Sequence, residues 1–202
     1  MRELQRDILA DAQTNPLSPF GKLQAVPVPP MLDTTNLLLA SPAGDTLVLT
    51  HEDLIYSCRE PKSLDTVIAH AATAGAALTG YLAARSITKI TRVGLVVRTL
   101  KGAELTEVAS AASNVLLPGN TGPLKAFLSQ ETAEITRSSS HYDNAIYLID
   151  INQDMGIYVS SLDHQRYFTP ALETLDSAAF GDFLATTESF FRTQTNTPYD
   201  LA

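Results

Sequence analysis

The stretch from Ser63 to Leu100 constrains this chain most, because it reads as one long helix running directly into one long strand. Ser63 supplies an N-cap hydroxyl, and Asp65 places a carboxylate in the first turn, against the positive end of the helix. Leu64, Ile68, Ala71, Gly75, Leu78 and Leu82 then recur at steps of three and four, which predicts one apolar stripe. The middle of that stripe, from Ala71 to Ala77, is built of small side chains, so the helix can lie close to a sheet or to another helix. Arg85 closes the helix near its negative end. From Thr88 to Leu100, Val93, Leu95 and Val97 alternate with Arg92, Gly94, Val96 and Arg98. That alternation predicts a strand with one face under the helix and the other turned outward.

Composition sets the outer limits. A chain of 202 residues with 45% hydrophobic and 18% charged residues is that of an ordinary folded protein. A formal charge of -8, with 14 scattered basic residues, argues against a nucleic-acid surface, which needs clustered Lys and Arg. A single cysteine excludes an internal disulfide and any multi-cysteine zinc site. The first residues, Met1 to Asp7, carry both signs of charge and lack an apolar leader core, and no unbroken apolar run has the length of a membrane helix. The expectation is a cytoplasmic protein, or a virion component, without membrane or nucleic-acid partners.

In chain order, Arg2 to Gln13 predicts a short helix with Leu4, Ile8 and Ala12 on one side, too short to be stable unless docked. Pro16, Pro19, Pro27, Pro29 and Pro30 make the next segment an extended arm, strapped over its own domain or reaching a neighbouring subunit. Thr35 to Ala40, Thr46 to Thr50 and Leu54 to Arg59 predict an antiparallel meander, with the turn Ser41-Pro42-Ala43-Gly44-Asp45 between the first two strands. Beyond the central helix and strand, Ala103 to Val115 reads as a second, shorter helix. Leu124 to Ser138 reads as strand in its second half and stays open in its first, with Ser138 to Asn144 as a hairpin loop. Ala145 to Asn152 and Ile157 to Ser160 form a strand pair, and a last helix runs from Leu172 to about Thr193. Leu172, Leu175, Ala179, Phe183 and Phe190 form its stripe, which Leu184 and Phe191 widen. The fold class is α+β: an antiparallel meander, a long central helix and a C-terminal helix, readable as two similar βββα-type halves. The expected organisation is an N-terminal arm, 1–30, and one domain, 31–202, with halves 31–100 and 101–202.

Arg92-Val93-Gly94-Leu95-Val96-Val97-Arg98 following a helix, Ile149-Asp150-Ile151, and Phe180-Gly181-Asp182-Phe183 in a terminal helix carry a resemblance. From Leu37 to Phe191 the chain resembles a sporadically distributed family of bacterial α+β proteins of uncharacterised function. It departs from the family at Val96-Val97, where arginine and an aromatic residue stand, and at Thr99, where asparagine stands. The resemblance implies an α+β architecture and brings no activity or cofactor with it.

Each candidate for chemistry has a plain structural counterpart. Cys58 shares a predicted strand face with Tyr56 and Leu54, and neither His51 nor His70 stands at a spacing that implies contact, so it reads as a core thiol. Asp150, Asn152 and Asp154 resemble the start of a calcium loop, but glycine comes at the seventh position and serine at the twelfth. Ser138, Ser139, Ser140, His141 and Asp143 hold the residue types of a hydrolase triad, yet neighbours on one loop rarely point at one another. No phosphate loop, nucleophile elbow or dinucleotide fingerprint is present, so no catalytic, cofactor or metal residue is assigned. Glycine in the outward row of a strand suits close approach by another molecule, and arginine is enriched at interfaces.

The expected function is therefore a non-enzymatic interaction or assembly subunit, such as occurs in phage particles or in bacterial defence and counter-defence complexes. Its partner is another protein or a second copy, and its contact residues are Arg92, Gly94, Arg98, Pro27, Pro29 and Pro30. The alternative is a small-molecule binder or metal-assisted hydrolase with a pocket between sheet and helices, drawing on Asp150, Asp154, His141 or His164.

Overall fold

Local signals hold where the chain turns back on itself quickly. Ser63 caps the central helix, its Oγ accepting from Thr66 N at 3.2 Å and its carbonyl from Val67 N at 3.0 Å. Gly44 takes φ 92° in the turn expected over residues 41–45, and Ser41 closes that turn by accepting from Gly44 N at 2.9 Å and donating to Asp45 O at 2.9 Å. A computed structural model describes residues 2–15, 18–26, 35–50, 54–58, 63–84, 89–101, 126–152 and 157–194. The fold is α+β, and the described residues form three helices and two antiparallel four-stranded sheets. The chain divides into two compact units, Met1–Ile90 with Leu172–Leu184, and Thr91–Ala171 with Ala185–Ala202.

The first unit holds α1 (Arg2–Thr14), β1 (Gln24–Ala25), β2 (Thr35–Ala40), β3 (Thr46–Thr50), β4 (Leu54–Ser57) and α2 (Leu64–Ala84). Its sheet follows the order β1-β2-β3-β4, antiparallel throughout, and contains the expected meander. Ile8 and Ala12 of α1, Phe20, Leu23, Leu39, Leu47 and Ala74 of α2 form its core, with Leu78, Tyr56 and Tyr81 packed around them. Polar contacts fasten α1 as well: Ser18 Oγ and Tyr81 OH each donate to Asp11 Oδ2 at 2.5 Å. Burial alone would raise the Asp11 carboxyl, but hydrogen bonds from Ser18, Tyr81 and Asn15 outweigh it and hold the group below its ordinary range. A helix too short to stand alone is thus held by both its apolar and its polar side.

The proline-rich arm lies on its own unit over residues 18–26, where Phe20 is buried and β1 pairs with β2 through Gln24↔Ala40 and Ala25↔Leu39. Pro27, Pro29 and Pro30 lie outside the described residues, as do His51, Arg85, the helix expected over 103–115, and Asp154. On α2 the stripe falls as expected: Gly75 is buried, and Leu64, Ile68, Ala71, Leu78 and Leu82 are half-buried. Its length and composition would let it cross a membrane, with 17% of its most apolar window buried; Asp65 stands in its first turn and His70 in its first half.

The second unit holds β5 (Ile90–Lys101) from Thr91 onward, β6 (Ala126–Arg137), β7 (His141–Asn152), β8 (Ile157–Leu172) and, from Ala185, the second half of α3 (Ser177–Arg192). Four boundaries differ from the sequence expectation. The whole of the ambiguous segment from Ala126 is strand, and the hairpin loop shrinks to residues 138–140, because β7 starts at His141 and pairs from there with β8. β8 runs 16 residues, through Leu172, so α3 starts at Ser177 instead; Asp176 caps it by accepting from Ala179 N at 2.8 Å. Pro170 lies past the last β7–β8 pair, His141↔Phe168, so its missing N–H removes no bond of that ladder. The sheet order β5-β8-β7-β6 puts β5 at an edge beside β8, some sixty residues onward, and α2 packs with α1 and the first sheet.

Candidate functional site

In the second unit the sheet has two chemically distinct faces. On one side β7 contributes Asp143, Ala145, Ile149 and Ile151, and β8 contributes Ser160, Leu162, His164 and Arg166, all buried. The second half of α3 covers this side: Phe190 packs on Tyr147 and on His164, with ring centroids 6.1 and 5.6 Å apart.

That covered side holds a polar cluster. Arg166 donates to Asp143 through Nε to Oδ1 and through Nη2 to Oδ2, at 2.8 Å each, and through Nη2 to Thr186 Oγ1 at 3.3 Å. His164 lies beside the same carboxylate, Nε2 to Oδ2 3.4 Å, with Nδ1 2.5 Å from Thr187 Oγ1. Asp143 and His164 are wholly buried and Arg166 is 3% exposed. Burial pulls the His164 pKa down; Asp143 opposes this and Arg166 adds to it, so the imidazole stays neutral near neutral pH. A bidentate ion pair closed off by a helix is a structural element.

The other face carries the row expected on β5. Arg92, Gly94, Val96 and Arg98 are exposed, while Val93, Leu95 and Val97 are half-buried. Gly94 stands over β8: a β-carbon there would meet Gln165 Cγ at 3.4 Å and the His164 carbonyl oxygen at 3.5 Å, ordinary contact distances. Arg92 and Arg98 both act on Asp163, whose carboxyl is raised by burial and drawn back by Gln165 and the two guanidiniums. Contacts continue across the face: Gln165 Nε2 donates to Asp163 Oδ2, Tyr167 OH donates to Gln165 Oε1 at 2.5 Å, and Tyr167 stacks on Tyr142 with centroids 5.0 Å apart and planes 6° from parallel. The Arg137 guanidinium lies 4.9 Å from the centre of the Tyr142 ring. This run of contacts from β5 to β6 braces the face.

Of the described residues named for a hydrolase, Ser138, Ser140 and His141 come together although neighbours on one loop rarely do, while Asp143 and Asp150 do not join them. His141 sits in the tight turn, its Nδ1 3.2 Å from both Ser138 Oγ and Ser140 Oγ, while Asp143, two residues on, points into the buried cluster. His164 pairs with Ala145 and Asp150 with Val159, so the turn histidine and Asp150 stand about 30 Å apart along β7. An open groove of about 530 Å³ beside α3 is lined by Ile135, Ala185, Thr186, Ser189, Phe190 and Thr193, none of them a named candidate. Among the described residues no three His, Cys, Asp or Glu side chains are grouped so as to hold a metal ion.

In the first unit the structure makes a contact that spacing did not imply: Cys58 Sγ lies 3.1 Å from His70 Nδ1. The first turns of α2 pass the end of β4, a proximity with no local sequence signal. Burial pushes the Cys58 thiol up, and Asp45, by its charge and by a hydrogen bond, pushes it further; the same surroundings drive the Tyr56 phenol up to about 12. An activated cysteine needs the acid behind the imidazole, whereas here the acid stands at the sulfur and keeps its proton on.

In comparisons with known proteins, no family model, no curated protein and no solved structure matches this chain.

Proposed function

We propose that the chain is a non-enzymatic protein-interaction subunit that docks a protein partner on the outward face of β5, across Arg92, Gly94, Val96 and Arg98. The observation that carries this reading is Gly94: an exposed glycine between two exposed arginines, in a strand where a β-carbon would be accommodated at ordinary distance. The fold therefore does not require glycine there, and a flat notch flanked by guanidiniums is what a docking protein uses. Val96, 47% exposed, adds apolar area to the same row. The Asp143, His164 and Arg166 cluster is closed off beneath α3, and burial and Asp45 push the Cys58 thiol up.

The native protein, isolated under mild conditions, is expected to carry a stoichiometric companion that R92E/R98E and G94W each release, with the variants' melting temperatures within a few degrees of the parent. Companion-free native protein, or a companion retained by both variants, overturns the proposal. Truncating residues 1–30 is no substitute, since Ile8, Ala12, Phe20 and Leu23 belong to the core.

A further inference from the structure

Among the described residues the order β5-β8-β7-β6 leaves β6 with a single neighbour, so the backbone groups that face away from β7 meet no other described strand. Proteins usually blunt such edges with short strands, proline, charged side chains, a bulge or a covering segment, and of these β6 has charges and a bulge. β6 is 12 residues long and has no proline, its described residues 130–137 are exposed apart from no more than their shared ladder with β7, and Leu128 and Ile135 are 71% and 40% exposed.

A bulge shapes the end of this edge. Pairing runs through Glu134↔Asn144, then resumes at Thr136↔Asp143 and Arg137↔Tyr142. Glu134 and Arg137 therefore share the outward face although they are three residues apart, a spacing that would put them on opposite faces of a regular strand. Arg137 uses this to donate to Glu134 through Nε at 2.8 Å and Nη2 at 2.5 Å. Thr136 lies on the other face, that of Asp143, and Ile135 lines the groove beside α3 on that same side.

We infer that β6 is a self-association edge, at which two copies of this chain pair antiparallel about a two-fold axis between Ile135 and Thr136, with Glu134 of each copy opposite Arg137 of the other. In this register residue 134 faces 137 and residue 135 faces 136, so the faces match on both sides of the bulge. A shift of two residues either way opposes an outward to an inward position at the centre. Charge agrees with geometry: each acid meets a base, no like charges stand opposite one another, and the existing pair grows into a ring of four alternating charges. On the groove side the two Ile135 side chains meet and remove each other from water. Six residues per copy, from 133 to 138, suffice, which is the usual length of a strand pairing. The edge lies across the sheet from the β5 row and does not depend on the partner proposed there.

Sedimentation equilibrium at micromolar concentration tests the inference. The parent chain is expected to be a dimer, and E134R and R137E each to weaken it by about tenfold, since every reversal spoils two pairs. The charge swap E134R/R137E is expected to restore it, while circular dichroism shows all four proteins equally folded. A monomeric parent overturns the inference. So does a dimer indifferent to both reversals, or a swap that fails to restore what the single reversals lose. None of these outcomes bears on release of a companion by R92E/R98E.

Discussion

The ring of Phe180 lies over Gly75, so close that a β-carbon on that residue would stand 2.0 Å from Cε1 and 2.2 Å from Cζ. Gly80, five residues along the same helix, has nothing within 4 Å of the corresponding position. Two glycines in one helix interior thus answer to different causes. Gly80→Ala is expected to stabilise the protein by about 0.5–1 kcal/mol, the cost of glycine in a helix. Gly75→Ala is expected to destabilise it by about 1–3 kcal/mol, because the ring must move and its packing on Phe183 is disturbed. In a Phe180→Ala background the Gly75→Ala penalty should vanish. Urea unfolding of the double-mutant cycle measures this, and additive effects would show that the ring does not set the requirement for glycine.

Removing one side of the buried ion pair should cost far more than removing both. Arg166→Met leaves the wholly buried Asp143 carboxylate without its bidentate partner and is expected to lose about 3–5 kcal/mol. Asp143→Leu combined with Arg166→Met should lose markedly less. Guanidinium denaturation compares them; an Arg166→Met loss under about 1 kcal/mol would contradict the assignment of the pair.

His164 makes stability depend on pH in a defined sense. Its pKa is lowered from the ordinary value of 6.5, chiefly by burial, so below that pH the unfolded chain binds a proton that the folded chain refuses. The stability it contributes is present above about pH 6.5 and is lost as pH falls below it, with a slope of at most about 1.4 kcal/mol per pH unit. Melting temperatures between pH 5 and 8 should fall toward acid in the parent and less steeply in His164→Gln. Equal slopes in the two proteins would mean that another group is responsible.

Cys58 should react slowly for an accessible thiol, because burial and then Asp45 hold its pKa above the ordinary value. Asp45→Asn removes the charge and is expected to speed alkylation by iodoacetamide several-fold near neutral pH. As the chain has one cysteine, mass spectrometry reads the rate directly. No change in rate would show that burial alone protects the sulfur.

What sequence by itself determined about this protein is everything governed by neighbours a few residues apart. The Ser63 cap, the α2 stripe, the Gly44 turn, the meander and the alternation about Gly94 follow from periods of 3.6 and 2 and from turn stereochemistry, which act within one element. Pairings between distant segments were decided only in the tertiary structure. Asp143 reads as part of a polar loop until the β7–β8 register sets it opposite Arg166, 23 residues later, and α3 closes over both. Cys58 meets His70 because the first turns of α2 come to lie beside the end of β4. The bulge that turns Glu134 and Arg137 to one face exists only relative to β7. Such choices are made by burial and by backbone pairing across the whole chain, and a short stretch of sequence contains neither.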